Sequence, residues 1–489
     1  MVAEPQTDAI LTAVASPAAL PKYLSLARGF ERQLRSGALR VGERLPSVRQ
    51  LRRDHRISAA TAVSCYLWLE RQGYIRARPK SGYYVGRLPQ RDTAPPETAP
   101  RSQRPVVVRA DLFTEVKAPT AANGSTVLDL GPSVISAALL PVGRLNRSVR
   151  AALSAFEDSV ATYEDARGSL RLRRQMARLM FRQGSECKPD DIIVTAGATE
   201  ALSLAVRATT SPGEVVAVES PGCFEMLRGL QAMNLRALEI PHRPGGIDLD
   251  QLRTAVRRHR VKAVMLNATC HNPLGDCATD ALKAELARFA ERHGVAIIES
   301  DTFGDLVFSG VRPRTVKSFD EAGRVLQCAS LAHFVAPGFN IGWISGGRYQ
   351  PAIQRLKQVS NLGGSRLNQL ALAEFLESGA FDRHVRRLRS ELWHTVESAR
   401  EEVLRHFPAG TRVSRPEGGF VLWIQLPEGH DGEAVRRRAS AAGIHILSGA
   451  VFSPNRLYRP YIRIACGYPF AVLKPAIRTI AGLVRRTTH

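Results

Sequence analysis

Apolar and polar residues follow one another in three different regimes along the chain. From about residue 18 to 88, apolar positions recur at helical spacing among many arginines. YLSLARGFERQLRSG (23–37) places its apolar residues on one helical face. Pro46 and Ser47 form a natural helix start ahead of VRQLRRDH (48–55). Ser58 is set to cap a further helix, AATAVSCYLWLERQG, which the pattern ends at Gly73. IRARPKSGYYVG then predicts two short strands around Pro79, Lys80, Ser81 and Gly82, a hairpin. From about 89 to 126, Pro, Ala, Thr and Ser dominate and apolar periodicity stops, which predicts a semi-extended linker. From 127 to 489, apolar β-branched runs alternate with amphipathic stretches, the pattern of an α/β domain. VVAVES (215–220), KAVMLNA (262–268), GVAIIES (294–300) and WISGG (343–347) predict buried strands. QMARLMFRQG, ALKAELARFAERHG and QLALAEFLESG predict helices that end near glycine.

A length of 489 residues suits two or three domains, and 44% hydrophobic residues allow a sizeable core. No apolar run reaches the roughly 18 residues of a membrane span. The polar, acidic start MVAEPQTDAI does not look like a secretory signal, so a cytoplasmic protein is expected. The cysteines Cys65, Cys187, Cys223, Cys270, Cys277, Cys328 and Cys466 are odd in number and lack zinc spacing. Reduced thiols are expected, with no metal. A net charge of +23 fits either a polyanionic partner or a general Arg-rich bias, and charge alone does not choose. Its distribution helps, because residues 1–88 hold 15 Lys/Arg against 6 Asp/Glu.

Helix, helix, third helix and hairpin form a winged helix-turn-helix, a module that lays its third helix in the DNA major groove. The module resembles the GntR family of bacterial regulators over about 65 residues. The likeness rests on G-x-R-L-P-S-x-R (Gly42 to Arg49), S-x-x-T-x-V (Ser58 to Val63), Tyr66, Leu69, Gly73 and S-G-Y-Y-V (Ser81 to Val85). By that resemblance, Ser47, Arg49, Ser58 and Thr61 contact double-stranded operator DNA, with Ser81 and Gly82 at the wing tip. Helix starts and hydroxyls suit phosphate oxygens, and arginine suits guanine or phosphate. Ala59 stands where the family often has arginine.

The rest of the chain resembles fold-type I aminotransferases, and the combination resembles the MocR group of GntR regulators. The expected fold is thus a helical module with a β-wing (18–88), a linker (89–126), and an α/β fold-type I PLP-dependent aminotransferase-like domain (127–489). ATYEDARGSLRLRRQMA (161–177) is similar to the family's segment near the cofactor, and TAGATEAL (195–202) to its phosphate-side turn, with Gly197, Ala198 and Thr199. HNPLG (271–275), IIESDTFGDL (297–306), CASLAHFVAPGFNIGW (328–343) and YIRIACG (461–467) match further segments. Aminotransferases hold pyridoxal phosphate as a Schiff base with lysine. By the resemblance that position is His333, and imidazole forms no stable imine. The phosphate-binding arginine is replaced by Asn340, the ring-stacking tyrosine by Cys223, a further tyrosine by Phe303, and the serine before the lysine by Ala332. Asp301 could still pair the pyridine nitrogen and Asn272 a ring hydroxyl. Ser330 and the Gly197 turn could bind phosphate, and Arg463 a carboxylate. Each retained residue could instead be structural.

Three functions follow from these residues. The first is a dimeric DNA-binding regulator whose eroded aminotransferase-like domain binds an effector, possibly carboxylate-bearing, without covalent pyridoxal phosphate. The second is an active aminotransferase, which lacks the lysine it needs. The third is a dimeric repressor with a scaffold-only domain.

Overall fold

The computed structural model describes residues 22–35, 39, 42–71, 74–78, 81–85, 95–97, 104–109 and 127–486. The chain divides into two compact units, Met1–Asp92 and Thr93–His489.

The first unit contains α1 (Lys22–Arg35), α2 (Val48–His55), α3 (Ala59–Arg71), β1 (Ile75–Arg78) and β2 (Gly82–Val85). Both predicted helix starts are present. The Ser47 hydroxyl accepts the Gln50 amide at 3.2 Å and the Ser58 hydroxyl accepts the Thr61 amide at 3.1 Å. Each bond satisfies a donor that the first turn leaves open. Ala27, Phe30, Leu34, Leu51, Ala62, Cys65, Tyr66 and Leu69 form the core between the helices. Buried Tyr66 donates its hydroxyl to the Pro46 carbonyl at 2.6 Å, tying α3 to the start of α2. β1 and β2 pair antiparallel from Ile75–Val85 to Arg78–Gly82, the expected wing. Gly82 sits at φ 110°, open only to glycine without strain. Gly73, Pro79 and Lys80 lie outside the described residues.

The strands of the second unit begin with β3 (Val106–Val107), β4 (Leu128–Asp129), β5 (Ile192–Ala196), β6 (Val215–Ser220), β7 (Arg236–Arg243), β8 (Gly246–Ile247), β9 (Ala263–Leu266) and β10 (Ala296–Ser300). They continue with β11 (Val325–Ser330), β12 (Ile341–Ser345), β13 (Arg412–Val413), β14 (Val421–Gln425), β15 (Ile444–His445), β16 (Leu447–Ser448) and β17 (Tyr461–Ala465). A nine-stranded sheet runs β3-β7-β6-β9-β10-β11-β12-β5, with β8 on β7. The pairs from β7 to β11 are parallel and β12 is antiparallel to both neighbours. Every residue of β6, β9, β10, β11 and β12 is buried. Helices on both faces explain why these strands read as unbroken apolar runs. A smaller antiparallel sheet, β13-β14-β17-β16, packs under the helices Ala380–His406, Gly432–Ala441 and Phe470–Arg485. The α/β architecture is the expected one. No described helix is long and apolar enough to cross a membrane.

Within 89–126, expected to be a semi-extended linker, two described segments pair with the second unit. β3 forms an edge strand antiparallel to Arg236 and Ala237 of β7. Upstream, the Glu97 amide donates to Gln425, its carbonyl accepts the Tyr461 hydroxyl at 3.1 Å, and its carboxylate pairs Arg412 at 2.9 Å. Extended backbone with open donors and acceptors pairs wherever a sheet edge or side chain offers partners, without apolar periodicity of its own. Residues 110–126 lie outside the described residues.

Candidate functional site

Two groups of side chains carry chemistry, one in each unit. In the first, Ser47, Arg49, Ser58 and Gly82 are exposed, while Thr61 and Ser81 are half-buried. Ser58 and Thr61 share a 2.8 Å hydroxyl contact at the start of α3, and Ser81 bonds the Tyr84 hydroxyl at 2.7 Å. The sequence reading missed Arg52 and Arg53. With Arg49 they lie at positions i, i+3 and i+4 of α2, and with Ile57 they line a shallow basic concavity. The spacing was present in VRQLRRDH and could have shown it.

In the second unit, strand C-terminal ends converge on one edge of the large sheet, where open α/β sheets place their ligands. Cys223 follows β6, Asn272 follows β9, Asp301 follows β10 and His333 follows β11. Gly197, Ala198 and Thr199 form the first turn of the helix Gly197–Thr209 after β5. Gly197 has φ 74°, and a side chain there would collide with the Asn340 amide oxygen. Asn340 is exposed beside it.

Several partners differ from expectation. Ser330 is turned away from any phosphate: its buried hydroxyl donates to the Ile341 carbonyl at 2.9 Å and accepts the Ala332 amide at 3.1 Å. Asp301 already has a cation, because its Oδ2 pairs Arg312 and accepts Gln327 at 3.0 Å. Its buried Oδ1 has no partner. Burial alone would lower the Arg312 guanidinium, but the carboxylates of Asp301 and Asp305 hold it well above its usual range. The Cys223 thiol donates to Glu225 at 2.6 Å, and burial with that carboxylate pushes its pKa up. Asn272 reaches the Cys223 sulfur at 3.7 Å. Phe303 meets the rings of Phe420 and His333 at 5.3 and 5.2 Å.

Arg463, on β17, is fully buried. Its Nη1 donates to Ser133 Oγ at 3.0 Å and Asn272 Oδ1 at 3.1 Å, Nη2 donates to the Gly131 carbonyl, and Nε has no partner. The rings of Phe452 and Phe224 flank it at 5.3 and 5.7 Å. Burial lowers its pKa to about 10. The open carboxylate grip expected at Arg463 is therefore sealed by Gly131 and Ser133.

His333 is half-exposed, with Nδ1 on the Ser133 carbonyl at 3.0 Å. The two lysines buried among the described residues are committed to other partners. Lys283 donates to Thr269 and the Arg314 carbonyl, and Lys357 pairs Glu200 at 2.9 Å.

Beneath the 271–275 loop lies a buried cluster that the sequence did not reveal. Glu219, His242 and His271 bring their ligand atoms within 4.8 Å of one another. His242 Nε2 bonds Asp276 at 2.8 Å and Nδ1 lies 3.3 Å from Glu219. Burial would lower the His242 pKa, but Asp276 and Glu219 raise it to about 10. The imidazolium so held is a clamp between two carboxylates. Glu219 in turn accepts the Asn267 amide at 2.7 Å, and Asn267 Oδ1 accepts the Asn272 amide at 3.0 Å. The clamp thus positions Asn272 beside Arg463.

Comparison with known proteins agrees with this geometry. Residues 139–480 match the family model "Aminotransferase class I and II", and residues 22–85 match "Bacterial regulatory proteins, gntR family". The HTH-type transcriptional regulator YjiR of Escherichia coli is 35% identical over 96% of this chain and 99% of its own. The regulator YdcR of the same organism is 34% identical over 91% and 94%. Among solved structures, Pyrococcus horikoshii kynurenine aminotransferase superposes with a TM-score of 0.70 at 23% identity, over 75% of this chain and 93% of that one. An archaeal alanine:glyoxylate aminotransferase gives a TM-score of 0.71 at 23% identity, over 74% and 92%.

Proposed function

The chain belongs to the HTH-type regulators that join a GntR domain to an aminotransferase class I and II domain, and from that footing we propose that its second unit senses a ligand held without a covalent bond. The protein is a transcription regulator. Family membership implies a pyridoxal phosphate pocket. The observation that carries the non-covalent reading is His333, whose imidazole stands at the Schiff-base position with Nδ1 spent on Ser133.

The remaining groups fit the cofactor ring but not its covalent anchor. The orphaned Asp301 Oδ1 suits a ring nitrogen, Asn272 a ring hydroxyl, and the first-turn amides at Gly197, Ala198 and Thr199 a phosphate. Bound there, pyridoxal phosphate would supply an electron-poor ring and an aldehyde. Neither Ala332 nor Asn340 adds positive charge at the phosphate, and Ser330 is committed to the backbone. Arg463 favours an effector that carries a carboxylate, because its desolvated guanidinium has no acidic partner; such a ligand must displace Ser133 and Gly131.

In the first unit, Ser47, Arg49, Ser58 and Thr61 face operator DNA, Ser81 and Gly82 form the wing tip, and the regulator works in the cytoplasm as a homodimer. The sealed state of Arg463 favours a second reading, in which the second unit is only a scaffold.

One experiment separates the readings. Purified protein is mixed with pyridoxal 5′-phosphate, treated with borohydride, dialysed and weighed by mass spectrometry, with a thermal melt before reduction. The proposal expects a raised melting temperature and no added mass. A cofactor adduct fixed to a peptide overturns the non-covalent reading. No thermal shift with any vitamin B6 form, amino acid or carboxylate decides for the scaffold.

A further inference from the structure

His333 bonds a carbonyl, and a carbonyl oxygen only accepts. Its Nδ1, 3.0 Å from the Ser133 carbonyl, therefore carries the proton. In the neutral ring Nε2 is then a bare lone pair. Nε2 has no hydrogen-bond partner among the described residues, and the side chain is half-exposed. Neither the tautomer nor the ring position is free to change easily. Ser133 is held through its own hydroxyl, which accepts from Arg463 at 3.0 Å, and the imidazole lies edge-on to Phe303 at 5.2 Å and 61°. One residue, Ser133, thus orients both His333 and Arg463.

The consequence concerns which ligand the cleft accepts. A lysine at this position offers an amine, a donor and a nucleophile. His333 offers an acceptor. The two common oxidation forms of vitamin B6 phosphate differ at the same place: the aldehyde presents an oxygen that only accepts, whereas the amine presents N–H groups that donate. Two facing lone pairs repel, and a donor aimed at a lone pair forms a hydrogen bond, charge-assisted when the amine is protonated. The aldehyde also loses the covalent bond that a lysine would give it. We infer that the pocket selects an amine-bearing ligand, pyridoxamine 5′-phosphate in its class, over pyridoxal 5′-phosphate, and that His333 is the residue that makes the choice. This rests on the reading of the second unit as a non-covalent vitamin B6 pocket.

The test is calorimetric titration of the full-length protein with pyridoxamine 5′-phosphate and pyridoxal 5′-phosphate as separate probes. The amine form should bind about tenfold or more tightly, the worth of one charge-assisted hydrogen bond. His333→Phe should erase the difference. His333→Lys should reverse it and let borohydride fix the aldehyde form to the peptide that contains residue 333. Melting curves of both variants with and without ligand confirm that they fold. Equal or tighter binding of the aldehyde form to the unaltered protein overturns the inference and leaves the non-covalent pocket standing. Failure of both probes to bind overturns the pocket reading itself.

Discussion

Buried ionised groups are stabilising only when their partners are in place, and His242 shows how far this chain relies on that condition. An imidazole free in an unfolded chain titrates near about 6.5, whereas Asp276 and Glu219 hold His242 at about 10 in the fold. The folded state therefore binds a proton more tightly than the unfolded one. The resulting stabilisation is complete below the unfolded value and disappears as pH rises through the folded one. Melting temperatures of the unaltered protein and His242→Gln should lie furthest apart below about pH 6.5 and approach each other toward about pH 10. A gap that stays constant across that range would show that His242 acts through packing alone. The same variant should loosen Asn272, because Glu219 reaches it through Asn267. None of this was visible in the sequence: His242 and Asp276 are 34 positions apart, and only the fold brings them together.

Helix α2 shows what an element adds to a motif. Only Leu51 of its eight residues is buried, and Arg49, Arg52 and Arg53 share an exposed face. Arginines spaced one turn apart can each neutralise a phosphate on the same backbone and release its counterions. Arg52→Ala should weaken operator and random DNA alike and reduce the slope of log affinity against log salt by about one. An unchanged slope would remove Arg52 from the interface. Legibility differed by element for physical reasons. α1, α2, α3 and the buried parallel strands were readable because a helix face or a doubly covered strand imposes its own period on the sequence. β3 was not readable, because two residues, Val106 and Val107, take their pairing from the edge of β7. The motifs that carry His333, Asn272 and Asp301 were legible in the sequence, and the structure puts these residues after β11, β9 and β10. The present partner of Ser330 was not legible because its acceptor, Ile341, is on a different strand, and Arg312 was missed because it reaches Asp301 from a loop.

At the scale of the whole molecule, the anchored segments 95–97 and 104–109 bound the length of chain that joins the DNA-binding module to the second unit. Ten peptide steps join Val85 to Pro95, which span at most about 35 Å when fully extended. A tether of about forty free residues would tolerate many half-site separations; one of about ten tolerates few. One winged module reads only a few base pairs, so the proposed homodimer needs two half-sites on the same face of the duplex. Inserting about five base pairs between half-sites turns one of them to the opposite face, about half a helical turn away. The unaltered protein should lose at least about tenfold in affinity for such an operator, as expected when the second contact can no longer form. The double variant Arg412→Ala, Tyr461→Phe removes the ion pair and the hydroxyl that hold Glu97 and should release segment 95–97, which leaves the segment that pairs with Arg236 and Ala237 of β7 as the first anchor. With a longer tether, the variant should lose distinctly less affinity on the altered spacing while binding the natural spacing no more tightly. Equal losses for both proteins would mean that the docked segments do not govern half-site spacing.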